Sequence, residues 1–214
     1  LDIAKDRLYV SAPADQRRRS CQTVMALIIE RLAGLIAPVL CHMAEDIWQN
    51  LPYPVEETSV FHRGWPTVPA EWRDAALSAP VQELRELRAA VNKVLEDCRG
   101  RQELGASLEA AVRIDARRPE LQAALSWLSK TGDAEVDGLR DWLLVSQLQI
   151  GGEPWAELLA SQDDELASIE VSRARGTKCE RCWHYEGDVG QHPEHPHICG
   201  RCVGVLERRT HQLT

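Results

Sequence analysis

The chain has 214 residues, of which 44% are hydrophobic, and its formal net charge is −8. This length suits one large or two modest domains, and the apolar content is enough to bury a core. No run of about eighteen apolar residues occurs, so the sequence predicts no membrane span. The negative charge argues against a dedicated nucleic-acid binder, whose footprint is usually basic, although it does not exclude one.

The first half of the chain has the periodicity of helices. Apolar residues at three- and four-residue steps predict a helix over residues 15–37. Pro38 ends it, and the same spacing of apolar residues from Leu40 to Leu51 predicts a second helix, with Pro38 in its first turn. After a proline-rich loop, a third helix is predicted over residues 80–98. Three amphipathic helices indicate a bundle. The apolar stripe of the first helix, expected to pack inside that bundle, comprises Cys21, Val24, Met25, Ile28, Leu32, Leu35 and Ile36.

The hydrophobic period changes in the second half. Alternation predicts a half-buried strand over residues 108–116, with Arg113 on its solvent side. Pro119 opens a short predicted helix, and residues 142–150 and 166–175 are predicted as two further strands. Mixed elements of this kind indicate a small α+β unit.

Four cysteines near the end carry the strongest motif. Cys179 and Cys182 form one C-x-x-C pair, and Cys199 and Cys202 form another after a sixteen-residue spacer. This spacing is typical of one tetrahedral zinc ion held by four thiolates. Since no coordination position stays open, we predict that the zinc (Zn²⁺, one per chain) is structural.

Other arrangements of these cysteines stay open at this point. They are two disulfides, an iron centre, or a Cys3His zinc site that uses His197. The remaining cysteines, Cys21, Cys41 and Cys98, lie in helical sequence and are predicted to be small core residues. Because the total of seven is odd, a disulfide framework is disfavoured.

These patterns predict an α+β chain in three parts. Residues 1–104 form a helical domain, residues 105–175 the small α+β unit, and residues 176–214 a four-cysteine zinc ribbon. Paired carboxylates at residues 45–46 and His42 lie beside no plausible nucleophile. The sequence therefore predicts no catalytic residue.

Several stretches, spread over almost the whole chain, resemble isoleucyl-tRNA synthetases of the bacterial type. The Ala-Pro break and the Ala44–Trp48 stretch resemble class I synthetases for branched aliphatic amino acids in general, whereas the C-x-x-C-W-H knuckle is similar to the isoleucine enzyme in particular. The stretches are Asp2-Ile3, Lys5-Asp6-Arg7-Leu8-Tyr9, Leu35-Ile36-Ala37-Pro38, Ala44-Glu45-Asp46-Ile47-Trp48, Trp65-Pro66, Ser107-Leu108-Glu109-Ala110, Cys179-Glu180-Arg181-Cys182-Trp183-His184 and Ile198-Cys199-Gly200-Arg201-Cys202.

The resemblance implies a ligase that activates isoleucine with ATP and Mg²⁺ and transfers it to tRNA(Ile). Its adenylate-forming H-I-G-H and K-M-S-K-S motifs are absent from this sequence. Together with a start at Leu1, this leads us to expect a piece of a longer polypeptide, with catalysis and ATP binding outside it. The resemblance also implies a cytoplasmic enzyme that is monomeric as a whole, and the reduced cysteines fit that compartment.

Within this family the helical part is expected to hold the anticodon side of the tRNA, with the zinc module closing over it. Anticodon bases can stack on aromatic or guanidinium planes while cations hold phosphates. The alternative for these residues is that Trp183 packs over its own zinc ribbon and that the cations are solvated. The candidate contacts are Lys178, Arg181, Trp183, Arg201, Arg17, Arg18 and Arg19.

Two functions from other classes compete with this one. A DNA-repair glycosylase tail has a zinc finger of the same spacing, but it is expected to show G-R-x-T where this chain has His195-Pro196-His197-Ile198. A zinc-ribbon scaffold that binds a protein partner is the other alternative. Salt-dependent RNA binding distinguishes it from the synthetase interpretation.

Overall fold

The computed structural model describes residues 2–131 and 138–211 of the chain. Helices and strands are both present, so the predicted α+β class is confirmed. None of the helices in these ranges is long and apolar enough to span a bilayer. The helices are α1 (Gln16–Ile36), α2 (Cys41–Gln49), α3 (Ala75–Gly100), α4 (Pro119–Thr131), α5 (Leu139–Leu143) and α6 (Gly200–His211); the strands are β1 (Ala110–Ala116), β2 (Gln147–Ile150), β3 (Ala160–Asp163), β4 (Ala167–Arg173), β5 (Thr177–Lys178) and β6 (Tyr185–Glu186).

The chain forms two compact units. One is Pro13–Asp74, and the other combines the residues up to Ala12 with those from Ala75 onward. The predicted boundaries after residues 104 and 175 remain predictions. Helix α3 packs with the sheet and with α4, and it therefore belongs to the second of these units.

The unit Pro13–Asp74 is built on α1 and α2. Asp15 caps α1, because its Oδ1 atom accepts hydrogen bonds from the amides of Arg17 (2.9 Å) and Arg18 (3.2 Å). The α1 bounds agree with the predicted helix. The start of α2 does not, because Pro38 lies in a turn in which the amide of Leu40 bonds back to Ile36, and α2 begins only at Cys41.

The predicted inward stripe of α1 is wrong for most of its members. Val24, Met25, Ile28, Leu32 and Leu35 are exposed. Ala33 and Ala37, at the end of α1, make the contact instead. They belong to a buried cluster with Ala44, Trp48 and Val60, against which Ile36 of the predicted stripe also packs. Short side chains let two helices approach closely, so most of the larger apolar residues of α1 lie outside this seam.

The cysteines outside the zinc motif have different environments. Cys98 is buried as predicted, but Cys21 is only half-buried and Cys41 is exposed at the start of α2. The prediction of a core position is therefore wrong for Cys41. Helical periodicity alone did not show which face of this short helix packs against α1.

The other unit contains a four-stranded sheet in the order β2-β1-β4-β3. β1 pairs with β2 in parallel and with β4 in antiparallel fashion, and β3 is an antiparallel edge strand. Helices α3 and α4 pack together, and the core lies between them and one face of the sheet. Its largest fully buried side chains include Leu84, Leu87, Leu95, Ile114, Leu121, Leu143 and Ile169.

Several predicted elements in this unit need correction. Helix α3 begins at Ala75, five residues before the predicted start, so Pro80 lies inside it. The predicted strand over residues 142–150 divides into the end of α5 and strand β2. Strand β3 was not predicted, because its sequence Ala-Ser-Gln-Asp has no hydrophobic alternation and it pairs as an edge strand.

Candidate metal centre

The zinc module consists of two cysteine turns, the β5–β6 hairpin and helix α6. In the first turn the amide of Trp183 donates to the carbonyl of Cys179 (2.9 Å), which folds residues 179–182 into a tight loop. The amide of Glu180 donates to the carbonyl of His197 (3.0 Å) and joins this loop to the second one. Helix α6 begins at Gly200, whose amide donates to the Asp188 carboxylate at 2.8 Å.

The four predicted ligands converge at one point. Cys179, Cys182, Cys199 and Cys202 are all buried, and their sulfur atoms lie within 4.8 Å of one another. The Sγ atoms of Cys179 and Cys202 are 3.8 Å apart, and those of Cys182 and Cys199 are 3.7 Å apart. Zinc–sulfur bonds of about 2.3 Å in a tetrahedron place sulfurs about 3.75 Å apart. The side chains therefore fit one structural zinc ion.

The same geometry argues against disulfides and against His197 as a ligand. A disulfide needs sulfurs about 2.05 Å apart, and all four cysteines are free. His197 is mostly exposed, with its Nδ1 atom 4.0 Å from Glu180. Within residues 2–131 and 138–211, the metal-ligating side chains that cluster here are the four cysteines alone.

Hydrogen bonds connect the sulfurs of the cluster. The amide of Cys199 donates to the sulfur of Cys179 at 3.3 Å. Hydrogen bonds from Cys182 and Cys202 hold the pKa of the Cys199 thiol well below its ordinary value, whereas those with Cys182 and Cys199 raise the pKa of the Cys202 thiol. The crowded sulfurs therefore do not lose their protons together unless a cation joins them.

The module is attached to the sheet by polar contacts. The amide of Tyr185 donates to the hydroxyl of the fully buried Ser146 at 2.8 Å, and Arg140 pairs with Glu186 at 3.1 Å. His184 lies beneath, almost fully buried, and burial lowers the pKa of its imidazole. Neutral His184 is favoured, because burial and the nearby charge of Arg140 outweigh the opposing charges of Cys182 and Asp6.

A segment far away in sequence completes the site. Val10 packs against the cysteine cluster, and its carbonyl accepts a hydrogen bond from Arg181 (2.7 Å). Asp6 accepts two hydrogen bonds of 2.7 Å from the guanidinium of Arg201. The sequence predicted no role for Asp6 and Val10 at the metal centre; their only signal was that both cysteine pairs have the form C-x-R-C.

The predicted RNA contacts are distributed unevenly. Lys178 and Trp183 are exposed in the zinc module, and Lys178 Nζ lies 5.8 Å from the centre of the Trp183 ring. Arg181 and Arg201 are instead engaged with residues 6–10. On α1, Arg19 is exposed, whereas Arg17 and Arg18 are half-buried.

Trp183 has an unusual backbone conformation. Its φ angle is +67°, in the left-handed region that residues other than glycine rarely adopt. Its side chain is 60% exposed. An indole that packed over its own ribbon would be largely covered. The turn thus holds an aromatic face toward solvent.

Comparison with known proteins gives two matches to family models. Residues 1–114, more than half of the chain, match the anticodon-binding domain of tRNA ligase. The chain belongs to this anticodon-binding family. Residues 176–204 match the zinc finger found in FPG and IleRS, which spans all four cysteines.

Relatives of this chain include three proteins named isoleucine–tRNA ligase. The protein from Parasynechococcus marenigrum is 87% identical over the whole chain, that from Synechococcus sp. (strain CC9311) 77% over 98% of it, and that from Prochlorococcus marinus (strain MIT 9313) 75% over 98%. In each case the chain spans about a fifth of the relative's length, 22%.

Proposed function

We propose that this chain is the C-terminal, tRNA-binding part of an isoleucine–tRNA ligase. Its role there is to hold the anticodon side of tRNA(Ile), with the zinc ion as a structural element. The observation that carries the proposal is the joint presence of an anticodon-binding match over residues 1–114 and a zinc-finger match over residues 176–204 in one chain.

The joint match also separates this function from its alternatives. The zinc-finger model covers both FPG and IleRS, so the finger alone does not distinguish a repair glycosylase from a synthetase. The anticodon-binding model does, because it describes a tRNA-ligase domain. A protein-binding scaffold gains no support from either match.

The chemical steps of the reaction are assigned to parts of the proposed ligase that lie outside this sequence. Isoleucine activation with ATP and Mg²⁺ is proposed for that part of the enzyme, which acts as a monomer in the cytoplasm. The described residues supply binding and positioning. This division fits a chain in which the sequence predicts no catalytic residue.

For the RNA surface of the zinc module, we propose Lys178 and Trp183 as direct contacts. A base can stack on the exposed indole, and the ammonium group can pair with a phosphate. Arg19 is the exposed candidate on α1. Arg17 and Arg18 complete the proposed basic run on this helix. Their backbone amides donate to the capping side chain of Asp15.

Binding of tRNA(Ile) as a function of salt concentration tests the proposal. Trp183→Ala should weaken binding about tenfold with little change in salt slope, because stacking releases no counterions. Lys178→Ala should weaken binding and reduce the slope by about one. The control is Leu158→Ala, which removes an exposed apolar side chain outside both matched segments and should leave tRNA binding unchanged. Binding that is absent or insensitive to salt would contradict the proposed function.

A further inference from the structure

The two knuckles of the zinc module have the same third residue and use it in the same way. In Cys179-Glu180-Arg181-Cys182 and in Cys199-Gly200-Arg201-Cys202 an arginine precedes the second cysteine. Each guanidinium reaches residues 6–10 rather than solvent: Arg201 binds both carboxylate oxygens of Asp6, and Arg181 binds the carbonyl of Val10. About 170 residues or more separate the partners along the chain.

Both arginines stand inside the knuckles whose cysteines form the metal cluster. Arg181 lies between Cys179 and Cys182 in sequence, and Arg201 lies between Cys199 and Cys202. A zinc ion with four thiolates carries a net charge of about −2, which two guanidinium groups can balance. The position of each guanidinium therefore depends on its knuckle being closed around the metal.

The stretch at residues 6–10 is shaped to fit this position. It forms one π-helical turn, closed by the hydrogen bond from the Ser11 amide to the Asp6 carbonyl. Val10 is 6% exposed and packs on the cysteine cluster. So short a turn has little stability of its own, so its order must come from these outside contacts.

We propose that Arg181 and Arg201 are positioning residues that clamp residues 6–10 to the zinc centre, so that the order of this stretch depends on the bound metal. With zinc bound, the two closed knuckles hold the backbone of both arginines in place. Without it, nothing draws the four sulfurs to one point, and the knuckles lose the geometry that presents the two guanidinium groups to residues 6–10. The proposal concerns residues whose RNA contact was predicted from sequence, and it assigns them a different contact that does not depend on RNA.

Hydrogen–deuterium exchange of the backbone amides of residues 6–11 tests the clamp. The protein is prepared at its full natural length, zinc-loaded, and its zinc content is measured alongside. Arg201→Ala and Asp6→Asn should each accelerate exchange of this stretch about tenfold or more while one zinc per chain is retained. Stripping zinc from the wild type with a chelator should accelerate the same amides at least as much.

The matched control is Arg208→Ala. Arg208 is an exposed arginine on the same helix as Arg201, and its guanidinium bonds to the Gly204 carbonyl. It should leave exchange of residues 6–11 unchanged. If Arg201→Ala releases the metal, Asp6→Asn decides the matter, because Asp6 lies outside the zinc module.

Three results would overturn the clamp. One is wild-type protection of residues 6–11 in the Asp6→Asn protein. Another is protection that survives complete removal of zinc. The third is equal acceleration by Arg208→Ala, which would indicate general loosening. Because the readout contains no RNA, failure of the clamp and failure of the proposed tRNA function are distinguishable.

Discussion

Arg113 and Glu170 face each other across β1 and β4 and form an ion pair of 3.1 Å that is almost completely buried. Arg113 Nε also donates to the carbonyl of Gly151, and Glu170 accepts a hydrogen bond from the amide of Trp155. The pair thereby holds the loop after β2 against the sheet. Sequence alternation had assigned Arg113 to the solvent side, and this prediction was wrong because the loop covers that face.

Removing one partner of this ion pair should strongly destabilise the folded protein. Glu170→Ala leaves the buried guanidinium of Arg113 without its counter-charge, and we expect the free energy of unfolding to fall by about 3–5 kcal/mol. Denaturant titration measures it. Replacing both with apolar residues, Arg113→Met with Glu170→Leu, should cost less than the single change.

The control for that experiment is a solvent-exposed ion pair in the same sheet. Arg117 pairs with Asp163, and both side chains are at least half exposed. Asp163→Ala should change the free energy of unfolding by less than about 1 kcal/mol. An equal effect of the two carboxylate deletions would show that burial of the Arg113–Glu170 pair does not matter.

One zinc ion per chain should be found by metal analysis. A structural zinc contributes on the order of 10 kcal/mol to forming a module of this size, so chelation or Cys182→Ser should unfold the residues after 176. The sheet and α3 have their own core and should keep their circular dichroism. Two sulfur-bridged cysteine pairs without metal would contradict this expectation.

Gly176 should tolerate no side chain. Its φ angle is +99°, and an added Cβ would lie 2.5 Å from the carbonyl oxygen of Glu186 across the β5–β6 hairpin. Gly176→Ala should destabilise the zinc module by about 1–3 kcal/mol, measured as weaker zinc retention against a chelator. Gly187→Ala is the control, because a Cβ there meets open space.

Asp164 should make stability depend on acid pH. Hydrogen bonds from the Ala167 amide, from Gln162 and from the Leu166 amide hold the pKa of its carboxyl below its usual value. Since the unfolded chain takes up the proton first, stability is present above a pH of about 3.9 and falls as pH drops through the lower folded pKa. Asp164→Asn should flatten that fall in acid unfolding curves; an unchanged curve would mean that this turn contributes nothing.

In the proposed full-length ligase, removal of residues from Lys178 onward should separate two activities. Adenylate formation, followed by pyrophosphate exchange, should stay nearly intact because it requires no RNA. Transfer to tRNA should fall about a hundredfold, since small misplacements of a reacting group cost that much. An equal loss of both steps would mean that the zinc module serves only folding. The isolated chain itself should show no isoleucine-dependent exchange.

Local patterns in the sequence were sufficient for elements whose physics is local. The four cysteine positions predicted the metal cluster, because two C-x-x-C turns bring sulfurs together wherever they meet. The bounds of α1 followed from the apolar period, and the start of α4 followed from Pro119. The family resemblance also came from these short, specific stretches.

Which surface each element buries was decided by tertiary structure. The seam at Ala33 and Ala44 turned the larger apolar residues of α1 outward, and pairing with β4 made a strand of the polar segment Ala160–Asp163. Arg201 looks like any exposed cation in sequence, yet it is half-buried against Asp6, 195 positions away. Such contacts depend on which distant segment arrives at a site, and hydrophobic period and residue type report only on neighbours within a few positions along the chain.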